Sequence, residues 1–318
     1  MRIGIPAETR EGETRVAATA ETIKKLAAAG HQLLVERGAG TAASQIDSAL
    51  EAAGATLVGA DEALAAEMVL KVRAPSADEL ARMSRGTVLV GMLNPFDREG
   101  LQAIANAGIT AFALEAAPRT TRAQSMDVLS SQANIAGYKA VLLAASAYGR
   151  MMPMLMTAAG TIKAARVLIL GAGVAGLQAI ATAKRLGAVV EASDVRPAVK
   201  EQIESLGAKF VDVPYETDEE REIAKGVGGY ARPMPESWMK RQAQAVADRM
   251  KQADIVITTA LIPGRRAPIL VTEEMVKSMK PGSVVLDMAV EQGGNCAISE
   301  LGRWVVKHGV TLIGQPNL

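Results

Sequence analysis

The sequence predicts an α/β protein with parallel sheets in two domains, and three observations carry that expectation. Short apolar runs alternate with helical patterns, a breaker-poor helical stretch lies midway, and 318 residues are enough for two separate cores.

The first series of runs is RIGIP (2–6), QLLVE (32–36), MVLKV (68–72), TVLVGML (87–93) and ITAFAL (109–114), separated by Ala-rich, charge-dotted segments. Apolar runs of this length between helical segments read as buried parallel strands in βα units. A second series opens at RVLILGAG (166–173) and continues through VVEASD (189–194), KFVDV (209–213), DIVITTA (254–260), SVVLDMA (283–289) and TLIG (311–314). The expected domains are therefore 1–125, an N-terminal α/β domain, and 126–318. Between the two series, residues 124–148 contain no proline and only Gly137 as a breaker, so they are expected to form a connecting helix. On that helix Gln124, Asp127, Ser131, Asn134 and Tyr138 fall on one polar stripe, with Met126, Leu129, Ala133, Ala136 and Ala140 on the other side. Such a stripe is expected to line a cleft or face water. The glycine- and proline-rich segment at 226–236 is expected to be a mobile, functional loop.

Composition narrows the function classes. Hydrophobic residues make up 49% and charged ones 22%, with a formal net charge of +1, which argues against a disordered chain or a broad nucleic-acid surface. Aromatics at 3% leave little material for stacking bases. The single cysteine, Cys296, excludes an internal disulfide, and the N-terminus reads straight into a strand with no signal segment, so a cytoplasmic protein is expected. The most apolar window, 141–160, contains Arg150 and Pro153 and makes poor material for a membrane span.

GAGVAG at 171–176 supplies the chemistry. It follows a strand and opens a helix, and Asp194 ends the next strand 18 residues after Gly176. In that setting Gly171 permits the tight turn, Gly173 lets a pyrophosphate approach the backbone, and Gly176 allows close contact between helix and strand. The helix N-terminus turns free N–H groups and the positive end of its dipole toward the phosphates. Asp194 would accept from the adenosine ribose hydroxyls, and its charge disfavours a 2′-phosphate, so NAD(H) is expected over NADP(H), softened by Arg196.

The stretch RTTRAQSMD, with Arg119, Gln124 and Asp127, suits gripping an amide and a ribose, because a carboxamide both donates and accepts. It also reads as a solvated helix start, with Asp127 satisfying local N–H groups. Lys71 and Arg15 are candidates for binding a carboxylate, although rim salt bridges explain them as well. His31 and His308 each stand beside a glycine near a strand end and read as turn histidines. Cys296 reads as a small buried filler, and no metal-ligand spacing occurs. Oxidising an alcohol or amine requires a proton acceptor; hydride transfer between two nicotinamides does not.

Taken together, MRIGIPAETREGETRVAAT, PRTTRAQSMDVLSSQANIAGYKAV, RVLILGAGVAGLQAIATAKRLGAVV, GGYARPMPESWMKRQ, TTALIPGRRAP and KPGSVVLDMAVEQGGNC resemble the NAD(H)-binding alpha component of proton-translocating nicotinamide nucleotide transhydrogenase. The resemblance spans nearly the whole chain and implies two Rossmann-like domains separated by a cleft and joined by a long hinge helix. It also implies a homodimer that passes hydride stereospecifically to NADP⁺ on a partner component, with a membrane-spanning component coupling transfer to proton movement. The chain would then sit peripherally at the inner membrane without inserting, with no nucleic-acid partner. Carried onto this sequence, the resemblance puts Arg119, Gln124, Asp127 and Ser130 around the nicotinamide and its ribose. Gly173, Val174 and Asp194 hold pyrophosphate and adenosine, and Gly229, Tyr230 and Ala231 belong to the closing loop. Two departures stand out. The family's chain typically continues past PNL with a segment returning to the first domain, whereas this sequence stops at Leu318. Arg265-Arg266 also stand where a lysine–proline pair is usual. The related alanine dehydrogenases share the fold but use a histidine where this chain reads VGMLNPFD, and counterparts of Arg15 and Lys71 bind their keto acid. An amino-acid dehydrogenase is therefore the alternative reading, and a non-catalytic NAD(H)-sensing module the third.

Overall fold

Every apolar run named above carries a strand in the computed structural model, which describes residues 1–118, 120–224, 234–262 and 264–318. The chain divides into two units, Met1–Leu129 and Ser130–Leu318.

In the first unit, β1 (Arg2–Ile5), α1 (Ala20–Ala28), β2 (Gln32–Glu36), α2 (Asp47–Ala52), β3 (Ala55–Val58), α3 (Ala60–Leu64), β4 (Met68–Arg73), α4 (Ala77–Arg82), β5 (Val88–Met92), α5 (Arg98–Asn106) and β6 (Thr110–Ala113) alternate regularly. All pairings are parallel, in the order β3-β2-β1-β4-β5-β6. The helices start where polar caps end the preceding loop. Thr19 accepts from the Thr22 amide, Asp97 from the Gly100 amide, and Ser76 forms a reciprocal capping box with Glu79. One core, with Leu34, Leu64, Val69 and Leu89, lies on one face of the sheet and a second, with Ile5, Ile23, Leu33 and Val35, on the other.

The second unit opens with α6 (Val128–Ala147), whose first two residues fall at the end of unit one, followed by an exposed hairpin of β7 (Leu155–Thr157) and β8 (Gly160–Ile162). Then come β9 (Arg166–Leu170), α7 (Val174–Arg185), β10 (Val189–Ser193), α8 (Lys200–Ser205), β11 (Lys209–Phe210), α9 (Asp218–Ala224), α10 (Glu236–Met250), β12 (Ile255–Thr258), α11 (Glu273–Lys277), β13 (Val284–Asp287), β14 (Trp304–Lys307) and β15 (Val310–Ile313). Their order is β11-β10-β9-β12-β13-β15-β14, parallel except for the antiparallel β14–β15 edge. Both sheets reverse their winding beside their first strand, at β1/β4 and at β9/β12. A crevice opens at such a point, outside the carboxyl ends of the strands, and is where doubly wound sheets take ligands.

The expected helix over 124–148 is shorter. Residues Thr121–Met126 form a 3₁₀ turn, Asp127 leaves the helical region at ψ 81°, and α6 starts at Val128. Gln124 and Asp127 therefore do not share its polar stripe. Met126 and Leu129 are exposed rather than buried, and the buried residues of α6 are Ala136, Gly137, Ala140, Val141 and Ala144. Ala140, Val141 and Ala144 pack in the core of the second sheet with Val167 and Ile180. The strand expected over 209–213 is only Lys209–Phe210. No apolar run points to strands β3, β7, β8 and β14. Among the described residues no helix is long and apolar enough to cross a membrane.

Candidate functional site

The glycine turn after β9 is built as its sequence requires. Gly171 has φ +99°, a region closed to most L side chains, and its carbonyl accepts a hydrogen bond from the Thr259 hydroxyl at 3.0 Å. A Cβ on Gly176 would overlap the Gly171 carbonyl, so only glycine lets α7 start this close to β9. At Gly173 the situation is reversed: a Cβ would meet nothing within 4 Å. This open face stands at the N-cap of α7, where no side chain caps the helix. The N–H groups of the first turn, from Val174 to Gly176, have no intrahelical acceptor, and together with the dipole they make an anion seat. A pyrophosphate fits such a cradle by the chemistry of its donors.

Gly137 secures the seat from behind. A Cβ there would overlap the Ala175 carbonyl, so α6 lies directly against the first turn of α7. In the sequence Gly137 reads only as a breaker; its contact partner lies too far along the chain for any local pattern to show it.

Asp194, just past β10, faces the same turn. One carboxylate oxygen accepts from the Ala172 amide at 2.8 Å and from an Arg196 guanidinium nitrogen at 2.8 Å. The other accepts from the Arg196 amide and Nε, both at 2.9 Å. The pair is largely shielded, and the hydrogen bond to Asp194 raises the Arg196 pKa. Asp194 is thus tied to the glycine turn, and Arg196 covers the oxygens that a ribose diol would use. Tyr215 closes this side, donating to the Val195 carbonyl at 3.2 Å and stacking on Trp238 at 5.9 Å.

On the β12 side a buried polar hub holds the loops. Asp287, fully buried at the end of β13, accepts from Thr258, Ser299 and the amides of Ala289, Asn295 and Cys296 at 2.6–3.2 Å. The Asn295 carboxamide accepts from the Ala260 amide at 3.0 Å and donates to the Ala260 and Pro268 carbonyls at 2.9 and 2.8 Å. Cys296 is buried beside this hub, and burial pushes its thiol pKa up, which fits a filler rather than a nucleophile. Sequence singles out neither Asp287 nor Asn295, because no short motif marks a carboxylate satisfied by backbone amides.

In the first unit, Gln124 and Asp127 line one hollow of about 220 Å³ with Glu115, Pro118 and Thr121. Glu115 fixes its floor by accepting from the Leu93 and Asn94 amides at 3.1 and 2.7 Å, just past β5. The hollow is polar enough to receive an amide or a hydroxyl. Ser130 is half-buried in the first turn of α6. Arg119, Gly229, Tyr230 and Ala231 lie outside the described residues, as does most of the expected loop at 226–236.

The β1/β4 crevice is filled by charge. Lys71 is not at a rim: it is buried, 2.7 Å from Glu79 and 3.5 Å from Glu8. Glu8 also accepts from the Val72 and Arg73 amides, and burial raises its pKa. Arg15 binds both oxygens of Glu13, which also takes Arg73 at 2.8 Å. Burial would raise the Glu13 carboxyl, but these partners hold it down at about 2. Among the described residues no cluster of His, Cys, Asp or Glu is arranged to hold a metal ion. His31 precedes β2, and His308, at φ +52°, sits in the turn before β15 bonded to Glu273. Both stand at the amino ends of their strands, the edge opposite the crevices.

A two-unit α/β chain with a dinucleotide-type turn at the switch point of its second sheet is the class these features define. The chain belongs to the alanine dehydrogenase/PNT family, whose N-terminal domain matches residues 4–136 and C-terminal domain residues 140–318. It is 54% identical over its whole length to an NAD(P) transhydrogenase subunit alpha chain of Rhodospirillum rubrum, covering 84% of that protein. The crystal structure of a transhydrogenase from Sinorhizobium meliloti superposes with a TM-score of 0.87 at 49% identity, over 99% of this chain and 86% of the other. Alanine dehydrogenase of Bacillus subtilis is more distant, 32% identical over 92% of this chain and 72% of its own length.

Proposed function

We propose that this chain is the NAD(H)-binding component of a proton-translocating transhydrogenase, passing hydride between NADH and NADP⁺ held by a partner component. The observation that carries the reading is the open Gly173 face at the uncapped start of α7, with Asp194 beside it. The transhydrogenase relatives give the class of reaction. In this reading the α7 amides bind the pyrophosphate, Asp194 takes the adenosine ribose once Arg196 moves aside, and its charge selects NAD(H) over NADP(H). Gln124 and Asp127, with Arg119 and Ser130, orient the nicotinamide end, and Gly229, Tyr230 and Ala231 close over it.

The bound dinucleotide supplies a hydride, which leaves C4 of the reduced ring with its electron pair and joins C4 of the oxidised ring. No proton is released or taken up, so the chain needs only to position the ring and exclude water. The placement of both histidines at the far strand ends agrees with this. Coupling to proton movement resides in the membrane component, which holds this chain at the inner membrane, and the chain acts as a homodimer. An amino-acid dehydrogenase has less support, because Arg15 and Lys71 are engaged by internal carboxylates.

The test is to mix the chain with an NADP(H)-binding transhydrogenase component, NADPH and an oxidised NAD analogue. Stereospecific transfer to the analogue is expected. NADH binding without transfer would leave only a sensing module, and consumption of NADH with pyruvate and ammonia would establish the dehydrogenase instead.

A further inference from the structure

The glycine turn and Asp194 give the nucleotide a direction. Asp194 follows β10, on one side of β9, and β12 lies on the other side. A dinucleotide with its pyrophosphate on α7 and its adenosine toward Asp194 therefore extends its reactive ring toward β12. The loop leaving β12 stands at that end. It is clamped at both ends: the Thr259 hydroxyl bonds the Gly171 carbonyl, and Asn295 bridges Ala260 to Pro268. The Ala267 amide also donates to the Gln292 carbonyl at 2.8 Å.

Between these anchors the loop turns unusual side chains outward. Leu261 is 43% exposed, Ile262 41%, and Ile269 just beyond 45%. Arg265 and Arg266 are both exposed, and among the described residues neither is in an ion pair. A loop fixed at its base with an apolar and doubly cationic tip has the composition of a recognition surface: aliphatic contact area rimmed by guanidinium groups.

We propose that Leu261, Ile262, Arg265 and Arg266 form the landing surface for an acidic face of the partner chain that carries the second nucleotide. This rests on the functional reading above and adds where the partner lands. Two rings can exchange hydride only near contact, so the partner must approach over the edge where this chain's ring emerges. The unpaired guanidiniums supply attraction and register for carboxylates there, and the aliphatic side chains supply the desolvated centre.

The experiment compares the full chain with R265E/R266E and R265Q/R266Q variants, each mixed with an NADP(H)-binding component. NADH affinity, read by cofactor fluorescence, is expected to stay within about twofold in all three, which also shows that the variants fold. Affinity for the partner is expected to fall by about tenfold or more in the charge reversal and less in the neutral variant, and the salt dependence of association is expected to flatten in both. Unchanged partner affinity and salt dependence would overturn the proposal. So would a loss seen only when the partner holds NADPH, because the arginines would then be reading the 2′-phosphate. If the unaltered chain exchanges no hydride with the partner at all, the functional reading fails before the variants are compared.

Discussion

The two switch points of this molecule share a topology and differ in what fills them. At β9/β12 the turn is glycine from end to end of its contacts: Gly176 touches the Gly171 carbonyl, and Gly173 faces open space. At β1/β4 the same place in the first sheet is occupied by Glu8, Glu13, Arg15, Lys71, Arg73 and Glu79, paired among themselves. One crevice keeps its backbone donors for a guest, whereas the other satisfies its charges internally. Sheet order alone therefore makes a crevice, and the side chains at the strand ends decide whether it becomes a site.

The largest effect that would sharpen this contrast comes from breaking the filled crevice. Lys71→Met leaves Glu8 and Glu79 buried without their cation, which is expected to cost about 3–5 kcal/mol. Thermal melting should then show the first unit unfolding early, while ligand-free packing around α7 persists. A melt indistinguishable from the unaltered chain would mean the cluster is solvated in solution.

Next come paired substitutions in the open crevice. Gly176→Ala drives a methyl into the Gly171 carbonyl and is expected to lower both stability, by about 1–3 kcal/mol, and NADH affinity. Gly173→Ala meets no protein atom, so its melting temperature should be unchanged while NADH affinity falls by about tenfold or more, because the methyl occupies the space a pyrophosphate needs. Equal effects in both variants would remove the distinction between a packing glycine and a binding glycine.

A pH series addresses the filled crevice again. Glu13 has its carboxyl lowered from 4.5 to about 2 by Arg15 and Arg73 against the opposing effect of burial. A lowered folded-state value gives stability that is fully present above pH 4.5 and is lost as pH falls toward 2, amounting to about 2–3 kcal/mol. Glu8, raised by burial, works with the opposite sign just above the ordinary carboxylate range. Glu13→Gln should therefore flatten the acid limb of the first unit's stability curve. The smallest effect is expected at Arg196→Ala. Freeing Asp194 of its guanidinium should tighten NADH by about two- to fivefold and widen the preference over NADPH, as titrations of both nucleotides would show.

Much of the fold is legible in the sequence, and particular residues show why. Runs such as RVLIL and DIVIT form fully covered central strands, where apolar continuity is the signal. The fingerprint at 171–176 is legible because each glycine answers a local steric demand. Strand β3 (ATLV) is short, with only Val58 buried, and β7 and β8 are wholly exposed, so no apolar run announces them. The start of α6 differs from the expected position because one residue, Asp127, leaves the helical region. The burial of Lys71 is hidden from the sequence because Glu8 lies on another strand end, and Gly137 and Asn295 act on residues dozens of positions away. Local demands can be read from spacing, whereas long-range partners need the fold.

A crystal structure of the chain with bound NADH tests the central claim most directly. The account predicts pyrophosphate oxygens on the Val174–Gly176 amides, the adenosine ribose on Asp194 with Arg196 displaced, and the β1/β4 charges still paired. A nucleotide seated among Arg15, Lys71 and Arg73, with the Gly173 face left bare, would contradict it.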